Sequence, residues 1–78
     1  MTTLKDLRMW HWRLVLQNRL SARSLEANPN CSPQGLVLAQ HKHAEADMHL
    51  GFVQALNDVL PGTAEHDLYE MESNRVAV

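Results

Sequence analysis

Histidine is the residue whose spacing first suggests chemistry in this chain. His41, Glu45 and His49 stand at i, i+4 and i+8, so on a helix neighbouring members share a ridge. Imidazole and carboxylate together suit zinc and other divalent ions. His43 lies two positions from His41 and points across such a helix, so the two do not close on one ion. Glu45 is followed three residues later by Met48, where a di-metal bundle would place a histidine. No second carboxylate shares the ridge of His11. The expectation is no metal and no cofactor, with His11 and His41 satisfied by neighbours in a helix seam and the other three histidines solvated.

A second feature is basic. Lys5, Arg8, Trp12, Arg19 and Arg23 form a ridge along the first helical segment, and cations interleaved with an aromatic can grip phosphates and stack a base. The chain carries a formal charge of −2 and has no Gly-rich, zinc-finger or helix-turn-helix signature, so nucleic acid is not the favoured ligand. A basic, aromatic face suits an acidic protein instead, with Arg8, Trp12, Arg19 and Arg23 as its partner-binding residues. Within Trp10-His11-Trp12, helical spacing sets Trp10 beside the seam and Trp12 on a second apolar stripe. Cys31 has no base or cation beside it in sequence to activate its thiol, and His66-Asp67 and Ser73 form no catalytic arrangement. No enzyme is expected.

The elements that position these residues are helical. Twelve Leu, eight Ala and four Met stand against six Val and no Ile, a composition that favours helix over strand. The first helix spans about residues 3–27, which contain neither Gly nor Pro. Asn28-Pro29-Asn30-Cys31-Ser32-Pro33 interrupts it, and Ser32-Pro33 reads as a new start, Ser at the N-cap and Pro at the first helical position. The second helix is predicted to run to about residue 60, before Pro61-Gly62. Residues 61–78 form an acidic tail or short helix that balances the basic first helix by docking on it. With one cysteine, no disulfide framework holds this small chain together. The longest uninterrupted apolar run covers only residues 36–39, and charges precede any apolar stretch, so neither a membrane span nor a secretory signal is expected and the location is cytoplasmic.

Each helix carries a heptad stripe: Leu7, His11, Leu14, Asn18, Ser21 and Leu25 on the first, and Val37, His41, Ala44, Met48, Gly51 and Ala55 on the second. Folded as an antiparallel hairpin about Cys31, these pair in reverse order, with His11 opposite Gly51 and Ser21 opposite His41. Second stripes remain at Met9, Trp12, Leu16 and Leu20, and at Ala39, Ala46, Leu50, Val53 and Leu60. A single hairpin covers one stripe per helix, and soluble monomers rarely leave the rest bare. The expected architecture is all-α, a helical hairpin dimerising into a four-helix bundle, with Met9, Trp12, Leu16, Leu20, Leu50 and Val53 in the dimer interface.

Trp10-His11-Trp12-Arg13, together with Phe52-Val53-Gln54-Ala55-Leu56-Asn57-Asp58 running into Gly62-Thr63-Ala64-Glu65, resembles small accessory proteins of temperate phages and prophages. The likeness covers about a third of the chain. It implies a helical, dimeric, non-enzymatic regulator that binds another protein, with an antirepressor that grips a transcriptional repressor as the leading role. The alternatives are an inhibitor of a host nucleic-acid enzyme, its acidic tail imitating a phosphate backbone, and a small nucleic-acid-binding protein.

Overall fold

A computed structural model describes residues 2–69. It is all-α: two long helices, α1 (Leu4–Ala27) and α2 (Pro33–Asn57), precede a short α3 that begins at residue 64 and continues to the last described residue. Residues 70–78, which hold Glu70, Glu72 and Arg75 of the acidic tail, lie outside the described part.

Local side chains set the helix ends. Thr3 caps α1: its Oγ1 accepts from the Asp6 N–H at 3.1 Å, and Asp6 Oδ2 accepts from the Thr3 N–H at 3.1 Å. This reciprocal capping box satisfies two N–H groups that the helix would leave unpaired. The Thr3 backbone bond, reinforced by the hydroxyl, holds the Asp6 carboxyl below its usual range. At the other end Pro29 forbids continuation, and Asn28 turns the chain by accepting the Asn30 N–H on its side chain. Ser32 Oγ accepts from the Gly35 N–H at 3.1 Å, with Pro33 at the first helical position of α2. Thr63 repeats the device for α3, accepting the His66 N–H at 3.2 Å.

α2 stops three residues short of the predicted end. Pro61 has no N–H for the carbonyl four residues earlier, so the last turn loosens over residues 58–60. Gly62 then adopts φ +75°, the left-handed region that disfavours any residue with a Cβ. The carbonyls of Leu60, Pro61 and Gly62 turn inward, where Arg8 collects them.

Arg8 is the largest fully buried side chain, with 0% relative exposure. Its Nε donates to Asp67 Oδ2 at 3.0 Å and Nη2 to the same oxygen at 2.8 Å. The Pro61 carbonyl takes a second bond from Nη2 at 2.8 Å. Nη1 reaches Asn57 Oδ1 at 3.1 Å, with the Gly62 and Leu60 carbonyls at 3.4 and 3.5 Å. One guanidinium thus joins α1, the end of α2, the turn and α3, while Lys5 meets the other Asp67 oxygen at 3.5 Å. Among the described residues no buried side-chain nitrogen or oxygen lacks a partner. Arg8 is therefore not the exposed partner-binding cation that its place on the basic ridge suggests. Arginine is mostly exposed in proteins, and here the fold supplies acceptors for the whole guanidinium.

The contact between α1 and α2 also differs from the predicted seam. Arg8 meets Asn57, His11 meets His49, and Arg19 and Glu26 both meet His43, so partners rise along α1 as they fall along α2. The buried line on α1 is Arg8, Val15, Asn18 and Ala22, and on α2 it is Ala39, Ala46 and Val53. At 3.6 residues per turn, the α1 face is rotated by about a sixth of a turn from the predicted stripe and the α2 face by about half a turn. Gly51 consequently does not face His11: a Cβ built on it meets nothing within 4 Å. Val37, Met48 and His41, predicted to be buried in the seam, are exposed. Val53, assigned to a dimer contact, is 3% exposed inside the chain's own seam. The physical reason is size: small side chains let two helices approach closely, and Ala and Val recur every seven residues on this face.

Two stability predictions follow from this packing. Arg8→Ala leaves Asp67 buried without its partner and is expected to cost about 3–5 kcal/mol in urea unfolding, with Arg8→Ala/Asp67→Ala costing less than the sum of its parts. Gly51→Ala, in open space inside α2, is expected to stabilise by about 0.5–1 kcal/mol in the same measurement. A loss of stability there would restore the His11–Gly51 contact.

Candidate functional site

With the buried line of the seam occupied by small residues, several large apolar side chains remain exposed beside it, and two faces concentrate them. One carries an aromatic and imidazole cluster. His11 Nδ1 and His49 Nδ1 are 2.9 Å apart across the helices. Their ring centroids are 5.1 Å apart, and the excess over the N···N distance matches two ring radii, so the nitrogens point at one another. One must donate and the other accept. Phe52 stacks on His11 with centroids 4.8 Å apart and an interplanar angle of 21°, and Trp10 meets His11 edge-on at 4.9 Å. Trp10 and Phe52 nonetheless remain 55% and 51% exposed. Leu7 lies one turn before His11 and Met48 one turn before Phe52, and both are exposed.

The other face holds an open groove of about 500 Å³ lined by Trp12, Val15, Leu16, Arg19, Leu20, Arg23 and Leu50. Leu16 and Leu20 are exposed, whereas Trp12 and Leu50 are half-buried. Arg19 is held at the edge by α2: Nη1 donates to His43 Nδ1 at 2.8 Å, and Nη2 pairs with Asp47. Because an arginine only donates, His43 Nδ1 accepts and its proton sits on Nε2, which bonds Glu26 Oε1 at 2.5 Å. Glu26, His43, Arg19 and Asp47 thus form one chain of hydrogen bonds beside the groove. Arg23 is exposed and makes no ion pair among the described residues.

Of the predicted partner-binding residues, the structure brings Trp12, Arg19 and Arg23 together and removes Arg8. Of the predicted dimer residues, Trp12, Leu16, Leu20 and Leu50 line this same groove, and Met9 is half-buried on its own turn. His41, Glu45 and His49 do not converge: His49 turns to His11, while His41 and Glu45 are exposed. Among the described residues no three of His, Cys, Asp and Glu gather in a metal-binding group, and no helix is long and apolar enough to cross a membrane. The sequence reading missed the His11–His49 pair and Phe52 because both depend on the true face of α2. A seven-residue recurrence of Ala39, Ala46 and Val53 was the signal that would have found them.

The geometry defines a small all-α protein with two apolar outer faces, one aromatic with Asp6 and Arg13 beside Leu7 and Trp10, the other basic at its edge. No protein-family model, curated protein or solved structure matches the chain. Burial, and next the neighbouring His49, holds the His11 imidazole below its usual value. A folded value below the unfolded one means that the unfolded chain binds more protons in the interval between them. The contribution of His11 is then full above about pH 6.5 and lost as pH falls through the lower folded value. Thermal melts are expected to show stability falling as pH drops below about 6.5, and falling less in His11→Phe. An identical fall in both proteins would place the titrating groups elsewhere.

Proposed function

We propose that the chain is a non-enzymatic, protein-binding regulator: an antiparallel helical hairpin that pairs with a second copy into a four-helix bundle and engages another protein in the cytoplasm. The observation that carries this reading is an inverted distribution of apolar side chains. Among the described residues the buried hydrophobic ones are Val15, Ala22, Ala39, Ala46, Val53 and Ala64, none larger than valine. Among the described residues twelve large hydrophobic ones, including Trp10, Leu16, Leu20, Met48 and Phe52, are exposed. Scattered exposed leucines are ordinary, but two contiguous apolar faces on so small a chain fit a protein that completes its core with others.

The basic ridge supports a protein partner over a nucleic-acid one. Arg8 is buried and Arg19 is tied to Asp47, so the row of free cations needed to track phosphates is broken. Buried Asp67 is likewise bonded to Arg8 and not presented as a phosphate mimic. The resemblance to phage accessory proteins makes a transcriptional repressor the partner class and an antirepressor the role.

Self-association belongs on the face of Leu7, Trp10, Met48 and Phe52. A two-fold contact across the groove would double its basic edge, whereas the aromatic face carries no fixed charge of one sign. Sedimentation equilibrium at micromolar concentration is expected to give a dimer, and Trp10→Ala/Phe52→Ala a monomer of unchanged helix content. A wild-type monomer would contradict the bundle.

A further inference from the structure

We infer that the groove along α1 receives one acidic amphipathic helix from another protein, docked lengthwise between Trp12 and Arg23. The inference rests on the protein-binding reading above and specifies the site and the chemistry of its occupant.

Three observations carry it. First, Trp12, Leu16 and Leu20 stand at i, i+4 and i+8, so they form one ridge, with Leu50 of α2 on the opposite side of the groove. The distance from Trp12 to Arg23 along α1 is about 16 Å, which matches about three turns of a docked helix. Second, the groove is bare where it would be contacted: Leu20 is 73% exposed and Leu16 43%. Anchors at helical spacing would fill this ridge, the mode in which amphipathic helices enter apolar grooves. Third, the charged residues lining the groove are Arg19 and Arg23, and no carboxylate lines it. Arg19 is fixed in place by His43 and Asp47, which spares it much of the ordering cost on binding. Arg23 is exposed and makes no ion pair among the described residues, so a carboxylate on the incoming helix has a counter-charge waiting.

The three determinants are separable. Leu16 and Leu20 supply apolar area, Arg23 supplies charge selection, and Trp12 supplies the large half-buried anchor typical of binding hot spots. A second copy of this chain fits the groove less well because the copy would bring its own Arg23, which makes no ion pair among the described residues, to the same edge.

The test uses the full chain and three fluorescein-labelled synthetic helices of fourteen residues. One has Leu at positions spaced three and four apart with Glu elsewhere, the second has Lys in place of every Glu, and the third is a scramble of the first. Anisotropy titration is expected to show saturable binding of the acidic helix, with the lysine version and the scramble at least tenfold weaker. Arg23→Glu should weaken the acidic helix at least tenfold and favour the lysine version, and Leu16→Ala/Leu20→Ala should abolish both. Circular dichroism checks that these exposed substitutions leave the helices intact, and Arg23→Lys, which keeps the charge, should retain most of the affinity. Equal binding of the acidic and basic helices, or no effect of Arg23→Glu, would overturn the inference. So would displacement of the acidic helix at equal concentration by a peptide of residues 70–78, which would assign the groove to the chain's own end. Conversion of a wild-type dimer to a monomer by Leu16→Ala/Leu20→Ala would assign it to a second copy, with the same consequence. The two readings fail separately: a dimer that binds no acidic helix removes this inference alone, and a monomer that binds it removes the bundle alone.

Discussion

A guanidinium with no solvent contact is the constraint on which the rest of the molecule depends. Taking an arginine out of water costs several kcal/mol unless its charge is paired and its donors are satisfied. Arg8 obtains this from segments about fifty to sixty residues downstream: Asn57, three successive turn carbonyls and Asp67. None of these acceptors is in place unless α2 ends before Pro61, Gly62 takes its positive φ and α3 lies against α1. A planar donor fork meets acceptors only in defined directions, so it positions those three features as well as joining them. Lysine, a point charge with three donors, could not span the same set.

That junction closes one end of the contact between the long helices; the rest of the contact is made by small residues. With Ala22, Ala39 and Ala46 in the seam, leucine, tryptophan and phenylalanine must lie beside it or beyond it. Close approach of the helices and exposure of the large apolar residues are two consequences of one pattern. The hydrophobic contribution of such a seam is modest, since alanine buries little area at roughly 25 cal/mol per Å². Stability within one chain therefore leans on the polar junction and on capping, and association supplies the burial that the seam lacks. The histidine pair lies between these regimes: it is part of the helix contact, yet its Phe52 and Trp10 neighbours reach the surface, so protonation there affects packing and an outer face together.

Much of this architecture was legible in the sequence. Thr3, Ser32-Pro33, Pro29 and Pro61-Gly62 act through local hydrogen bonds and fixed backbone angles, and such signals do not depend on what the rest of the chain does. The choice of helix face did. Two apolar stripes on each helix offer two candidate seams, and heptad spacing with reverse pairing about Cys31 selects the outer one on α2, although Ala39, Ala46 and Val53 recur every seven residues on the other. Arg8 was misplaced for a related reason: nothing in α1 itself shows that carbonyls from a distant turn will converge on it. Charge balance points to acidic residues docking on α1, but the form this takes among the described residues, Asp67 buried against Arg8 with Lys5 at its other oxygen, depends on the tertiary fold. Trp12, Arg19 and Arg23 line one groove, as helix periodicity alone places them on one side of α1.

Burial of Arg8 in its acceptor set is the feature on which the junction depends. The most direct measurement is the ¹⁵N–¹H spectrum of the arginine Nε–H groups, with Arg8 assigned by its loss in Arg8→Lys and exposed Arg23 serving as an internal reference. The predicted result is an Arg8 Nε–H protected from solvent exchange relative to that of Arg23, with a resonance displaced in Asp67→Asn. An Arg8 Nε–H that exchanges as fast as that of Arg23 and ignores Asp67→Asn would mean a solvated guanidinium, and the junction described above would not exist.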